Sequence, residues 1–456
     1  MSTSDTVAAP VPSRRSGLAH LGIRSPMGKL VIAGVISFLL MVPAMIVLGF
    51  VNERAHRAET VAKEIAAGWG GEQTLNGPYL VLPYRKSEWS SPLYAVFSAE
   101  QLKMDLNVGV EERKRSIYRT PLFQSRTHIS GRFAPLPATI EEKLGVVDYD
   151  SAFMAMSVSD ISGFRSEARI DIDGRGKGVF QPGLSGLADR KHRGFSYALP
   201  EGLARSGFSF NVDLTLNGAR QLTILPSARA TEIEMNSDWP HPGFAGRMLP
   251  DSRAVTGQGF SASWTIPSLA QGTSMMNLAT SLPESAAEIS VGFVEPLQFY
   301  QVIARTLKYS TAFFALTFLA VFILEVKGNR SIHWMQYALV GLALVIFFLL
   351  LLALAEHIGF GPAYAIAATA TTMLISWYVG DALRRLRSGV IMAGVLGVIY
   401  VVIYLVMSEE DYALLAGSIV AFLTITATMF ATRRLEWDGG ESSSASPLPE
   451  APPRTA

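Results

Sequence analysis

YALVGLALVIFFLLLLALA, residues 337–355, contains no charged side chain, and its reading decides the architecture. At about 1.5 Å per helical residue it makes roughly 28 Å of uninterrupted apolar helix, which matches the hydrocarbon thickness of a bilayer. Inside lipid the backbone cannot bond to water, and only a helix closes its own hydrogen bonds within a single segment. Residues 309–326, 360–380, 389–407 and 412–431 repeat the pattern, so five membrane-spanning helices follow one another closely. Residues 30–51 form an earlier apolar run, longer than the core of a secretory signal and with no small-x-small cleavage pattern directly after it. It reads as an uncleaved anchor, with a cleaved signal as the alternative.

Orientation follows from lysine and arginine, because positive flanks stay on the cytoplasmic side. With the N-terminus inside, the inner connections hold Lys327 and Arg330, then Arg384, Arg385 and Arg387, then Arg433 and Arg434. The outer connections hold Glu356 and His357, then Glu409, Glu410 and Asp411, with no lysine or arginine. The sequence therefore predicts six spans with both termini cytoplasmic. Residues 1–28 and 433–456 are Ser- and Pro-rich tails too polar to pack, residues 29–51 the first span, 52–305 a periplasmic domain and 306–432 the five-helix block.

The inserted domain starts with a helical stalk, in which Val61, Ala62, Ile65 and Ala66 recur at helical spacing, and then changes period to two. Phe208, Phe210, Val212, Leu214 and Leu216 alternate with Ser209, Asn211, Asp213 and Thr215, as in a half-buried strand. Residues 117–133, 260–266 and 288–293 repeat the device between Gly, Pro, Asn and Asp punctuation. The expected fold class is thus an α+β membrane protein: an N-terminal anchor, a five-helix block and a large β-rich insertion, of sandwich or barrel type.

Composition excludes some chemistry. The chain has no cysteine, so disulfides, thiolate metal sites and cysteine nucleophiles are absent. A net charge of +1 gives no support to nucleic-acid binding. Asp171-Ile-Asp173-Gly174 could open a calcium loop, but the twelfth position is Pro182 rather than glutamate, and a hairpin turn explains the same residues. Gly183-Leu-Ser185-Gly186-Leu187 fails as a nucleophile elbow at its fifth position. No metal or cofactor is expected. His128 and His241 lack partners at ligand spacing and read as solvated or structurally bonded. Glu356-His357 lies at the outer end of its span beside Gly359, Gly361 and Pro362, where interfacial anchoring competes with a functional role. Thr369, Thr371, Thr372 and Ser376, with Thr424, Thr426 and Thr428, put hydroxyls on the fourth and sixth spans, and Ala393 with Gly397 suggests close helix packing.

Several blocks together resemble one family: NGPYLVLPY (76–84), EERKRSIYRTPLF (111–123), SDISGF (159–164), WPHPGFAGRMLP (239–250), QYALVGLALVIFFLLLLALAEHIGF (336–360) and EDYALLAGS (410–418). Their order and joint occurrence, from the first span to Trp437, are similar to the CreD family of bacterial inner-membrane proteins; the long tails lie outside the family pattern. The resemblance implies a role in cell-envelope integrity and colicin tolerance and membership of the CreBC two-component regulon, with no enzymatic activity and no catalytic residue to carry over. The expectation is an inner-membrane protein that binds or scaffolds an envelope component or another membrane protein. Trp239, His241, Glu356 and His357 are the candidate contact residues. A transporter or lipid carrier using the fourth and sixth spans is the alternative.

Overall fold

The computed structural model describes residues 26–408, except 88–89, 175–176, 188–192, 273, 284, 294–298, 309 and 329, together with residues 418, 422, 425, 426, 429 and 430. The chain divides into two compact units, Met1–Ala55 with Phe299–Ala456, and His56–Gln298.

The first unit is helical. It holds α1 (Pro26–Leu39) and the start of α2 (Met41–Ala67), and later helices whose numbers follow three short ones, α3 (Ile140–Leu144), α4 (Leu203–Ser206) and α5 (Ser268–Gln271), in the loops of the second unit. The later helices are α6 (Phe299–Lys308), α7 (Ser310–Gly328), α8 (Trp334–Ile358), α9 (Phe360–Ala382) and α10 (Leu386–Ser408). Among the described residues four helices, Gly28–Ala67, Ser310–Gly328, Trp334–Ile358 and Leu386–Leu405, are long and apolar enough to cross a membrane. Their apolar residues face both ways: Phe314, Phe347 and Phe348 are fully buried, while Phe38, Met45, Val390 and Ile391 are exposed. A helix bundle that is oily outside as well as inside has lipid for its solvent.

The expected fourth span forms α9, whose hydroxyls and Pro362 make it less apolar than those four. The expected sixth, 412–431, lies mostly outside the described residues. Residue 305, the expected end of the β-rich domain, falls inside α6, which buries Val302, Ile303 and Leu307 among the apolar helices. Among the described residues the closest helix approach of the kind expected at Ala393 and Gly397 is at Gly389. A Cβ on Gly389 would stand 2.8 Å from the Ser376 carbonyl oxygen and 3.4 Å from the Gly380 Cα, whereas at Gly397 nothing among the described residues lies within 4 Å. Gly389 has no side chain to hold α9 off, so the two backbones touch there.

The second unit is built of two sheets. Its strands are β1 (Gln73–Arg85), β2 (Leu93–Arg115), β3 (Tyr118–Phe133), β4 (Val146–Val147), β5 (Phe153–Val158), β6 (Arg169–Ile172), β7 (Lys177–Val179), β8 (Gln181–Pro182), β9 (Arg193–Ala198), β10 (Phe208–Ala219), β11 (Gln221–Leu225), β12 (Ala228–Ser237), β13 (Pro242–Gly246), β14 (Ser252–Thr256), β15 (Gly259–Ile266), β16 (Met276–Leu278) and β17 (Ile289–Phe293). Sheet one runs β8–β9–β5–β1; beyond β1 its first half pairs with β11, then β17 and β13, and its second half with the start of β2, then β16. Sheet two runs β14–β15–β12–β2–β3–β10–β6–β7. Strand β2 belongs to both: Leu93–Ser98 pairs in sheet one and the residues from Ala99 onward in sheet two. The two sheets pack face to face as a sandwich with β2 turning the corner. Phe123 of β3 meets Phe293 of β17 with ring centroids 5.1 Å apart across that core.

Alternation decides which face is inward. In β10 Phe208, Phe210, Val212 and Leu214 are buried and Ser209, Asn211 and Asp213 exposed. Asp173 (φ 50°) and Gly174 (φ 69°) stand in the left-handed region between β6 and β7, the hairpin reading of that motif rather than a calcium loop. The end of α2 docks on this sandwich. Glu59 accepts from Arg220 at 2.7 Å and Glu64 from Arg115 at 2.9 Å, and Trp69 lies against both Arg113 and Arg165, 4.8 and 4.7 Å from the ring centre.

Candidate functional site

The four candidate residues fall in two places. Trp239 and His241 sit in the segment joining β12 of sheet two to β13 of sheet one. Pro240 and Pro242 restrict its backbone, and Asp238 anchors its start by accepting the Val110 N–H at 2.8 Å. The Trp239 ring is only 8% exposed and belongs to the sandwich core, and its indole N–H donates to the His241 carbonyl at 3.1 Å. His241 itself is exposed. Trp239 thus serves as the root of the turn and His241 as its outward-facing part.

Glu356 and His357 end α8 and point apart. The Glu356 side chain is 8% exposed; it accepts from the Tyr300 hydroxyl at 3.2 Å and lies 3.9 Å from the Arg54 guanidinium. His357 is exposed. The histidine therefore faces outward while the carboxylate joins α8 to α6 and α2. His128, on the outer face of β3, bonds Asp213 of β10 through Nδ1 at 2.7 Å, a partner that cross-strand register supplies and sequence spacing hides. Among the described residues no three His, Asp or Glu side chains gather as metal ligands.

Of the hydroxyls on α9, Thr371 donates back to the Ala367 carbonyl at 2.7 Å and Thr369 is exposed. Thr426 is exposed as well, and Thr424 and Thr428 lie outside the described residues. The Ser376 hydroxyl is buried without a hydrogen-bond partner among the described residues.

Two further features escaped the sequence reading. Glu325, at the end of α7, is buried and accepts from Lys29, from the Ile332 N–H at 2.8 Å and from the Tyr337 hydroxyl at 2.7 Å. The outer face of sheet two also carries two adjoining hollows, of about 620 and 370 Å³, that share Asn107 and Arg126. Asp238, at the foot of the Trp239 turn, lines the larger.

The family described as "Inner membrane protein CreD" matches residues 25–438 of the chain. The chain belongs to the CreD family. Its relative "Inner membrane protein CreD" of Escherichia coli (strain K12) is 30% identical over 412 residues, covering 88% of this chain and 91% of that one. With several helices able to cross a bilayer, this CreD-family chain is a multi-pass inner-membrane protein that carries a large β domain. Among solved structures, an M1 zinc metallopeptidase mutant from Deinococcus radiodurans bound to a Tyr-ser-ala substrate aligns with a TM-score of 0.20 and 10% identity, covering 43% of this chain and 42% of that one. At that score it carries no argument about the CreD fold or its chemistry.

Proposed function

We propose that this CreD-family protein crosses the inner membrane six times with both termini in the cytoplasm, holds its β unit in the periplasm, and supports envelope integrity by binding or scaffolding an envelope component or a second membrane protein. The distribution of lysine and arginine along the connections carries the orientation, with Lys327, Arg330, Arg384, Arg385 and Arg387 on one side and none in the connections on the other. The candidate contacts of this reading are, on the β unit, the Pro-stiffened turn that presents His241, with Trp239 locking it from beneath, and, separately on the helical unit, His357 with the Glu356 carboxylate that fixes the end of α8.

A photo-crosslinking side chain at position 241, in intact cells, tests it. One envelope species captured there, and not from a crosslinker at the exposed Arg132 position, is the expected result; capture no different between the two positions overturns the binding surface. A reporter fused after Pro250 that works only in the cell interior overturns the orientation.

The second reading, a transporter or lipid carrier using α9 and the span expected at 412–431, draws on the Ser376 hydroxyl, buried and without a hydrogen-bond partner among the described residues. Thr371 bonded back to its own helix and the outward Thr369 weigh against it. Lipid or solute movement in reconstituted vesicles that Thr372→Val abolishes would make it the better account.

A further inference from the structure

Resting on the binding reading above and narrowing it, we infer that the outer face of sheet two is an oligosaccharide-binding groove centred on Arg126. Two hollows meet on this face at Asn107 and Arg126, one lined mainly by amides and hydroxyls, with Asp238 among them, and one ionic. The first hollow has Asn107, Gln124 and Asn236 on its floor and Ser261, Thr256 and Gln258 along the wall made by the β14–β15 hairpin. Gly109, without a side chain, leaves the floor open: a Cβ there would meet nothing within 4 Å among the described residues. The ionic hollow sets Asp105, His128, Asp213 and Arg169 in one row across β2, β3, β10 and β6, because these four residues are register partners in turn. Arg126 stands at the seam, exposed, with no ion pair among the described residues. Its planar fork of five donors is therefore uncommitted.

The chemistry of the lining selects the ligand. Lipid is a poor match, since the groove offers almost no exposed apolar side chain. Nucleic acid would meet Asp105, Glu167, Asp213 and Asp238 in place of a basic stripe. A peptide binds a sheet through main-chain hydrogen bonds at an edge, but β12, β2, β3 and β10 already spend theirs on ladders to both sides. What the face of these four strands offers is side chains: amides and hydroxyls that both donate and accept, carboxylates that accept, and a guanidinium that donates in pairs. Neighbouring sugar hydroxyls, each a donor and an acceptor at once, use that mixture, and an N-acetyl group adds an amide suited to the asparagine and glutamine side chains.

The test is calorimetric titration of the full chain in detergent micelles with the β-1,4-linked tetramer of N-acetylglucosamine. Saturable binding is expected, weakened about ten- to a hundredfold by Arg126→Gln, as loss of hydrogen bonds from a charged group implies. Asn107→Ala weakens it too. Arg132→Gln, exposed on the same strand and outside both hollows, changes it less than about twofold. These side chains are all exposed, and an unchanged melting profile verifies that each variant folds. Absence of saturable binding, or equal losses in the Arg126 and Arg132 variants, overturns the assignment and leaves a solvated sheet face. If position 241 still captures an envelope species when the tetramer does not bind, the glycan assignment fails and the broader binding reading stands.

Discussion

Glu325 and Glu59 are both carboxylates paired with a cation, one in the helical unit and one on the sandwich, and they are held in opposite ways. Glu325 is 3% exposed and takes hydrogen bonds from Lys29, Tyr337 and the Ile332 backbone. Glu59 is 44% exposed and meets Arg220 in solvent. The difference follows from what surrounds each unit. A charge withdrawn from water costs several kcal/mol unless its lone pairs are matched, so a buried carboxylate has to be surrounded by donors. Where water supplies the missing bonds, exposed ion pairs such as those of Glu59 with Arg220 and Lys63 are enough and contribute little. Glu356 is intermediate: its side chain is nearly as buried as that of Glu325, while Arg54, 3.9 Å away, is half exposed.

The largest effect belongs to Glu325→Ala. It leaves the Tyr337 hydroxyl and the Ile332 N–H without their acceptor and the Lys29 ammonium without its counter-charge, with only the Ser331 hydroxyl at 2.9 Å still accepting from it, and breaking a buried pair from one side costs about 3–5 kcal/mol. Because Lys29 begins α1 and Glu325 ends α7, the loss should fall on the docking of the first helix, seen as a lower denaturation midpoint of the helical signal in micelles. A cost below about 1 kcal/mol would mean that water reaches this site, and the contrast with Glu59 would collapse. Glu356→Ala sharpens the comparison. It removes the acceptor from Tyr300 and the distant Arg54 only, and hydrogen bonds to a charged group predict a loss of about 1–3 kcal/mol in the same measurement. A loss equal to that of Glu325→Ala would show that depth of burial, rather than the number of matched donors, sets the cost.

How much of this could be read from sequence depends on how far apart in the chain the cooperating residues lie. The apolar runs and the period-two strands are local, and α7, α8 and the alternation in β10 follow them closely. Glu325 passed unnoticed beside Lys327 because its partner, Lys29, is 296 residues away. Trp239 offers a different lesson: flanking prolines and a histidine suggest an exposed turn, yet the indole is in the core, since its N–H can reach the His241 carbonyl and so goes in satisfied. The polar face of sheet two was visible as alternation in Arg126, His128, Asn211 and Asp213. That it is hollow was not, because the wall is the β14–β15 hairpin, packed alongside β12, and only the sheet order brings it beside Asn107.

Glu59→Gln is the smallest effect and sets the other end of the scale. The hydrogen bond from Arg220, aided by the charges of Arg220 and Lys63 and opposed by burial, holds the Glu59 carboxyl below the usual carboxylate range. A group whose pKa falls on folding stabilises the fold above its unfolded value, about 4.3, and loses that contribution as pH drops through the folded one. At neutral pH the variant should therefore be less stable by under about 1 kcal/mol, after allowance for solvent screening. The gap should narrow in about 1 M salt and close in acid below both pKa values, where wild type and variant carry the same charge at this position. Thermal unfolding of the β signal at pH 7 and in acid, with and without salt, measures both. A gap that grows in acid, or that ignores salt, would mean that Glu59 is held as Glu325 is, by desolvated partners rather than by a solvated ion pair.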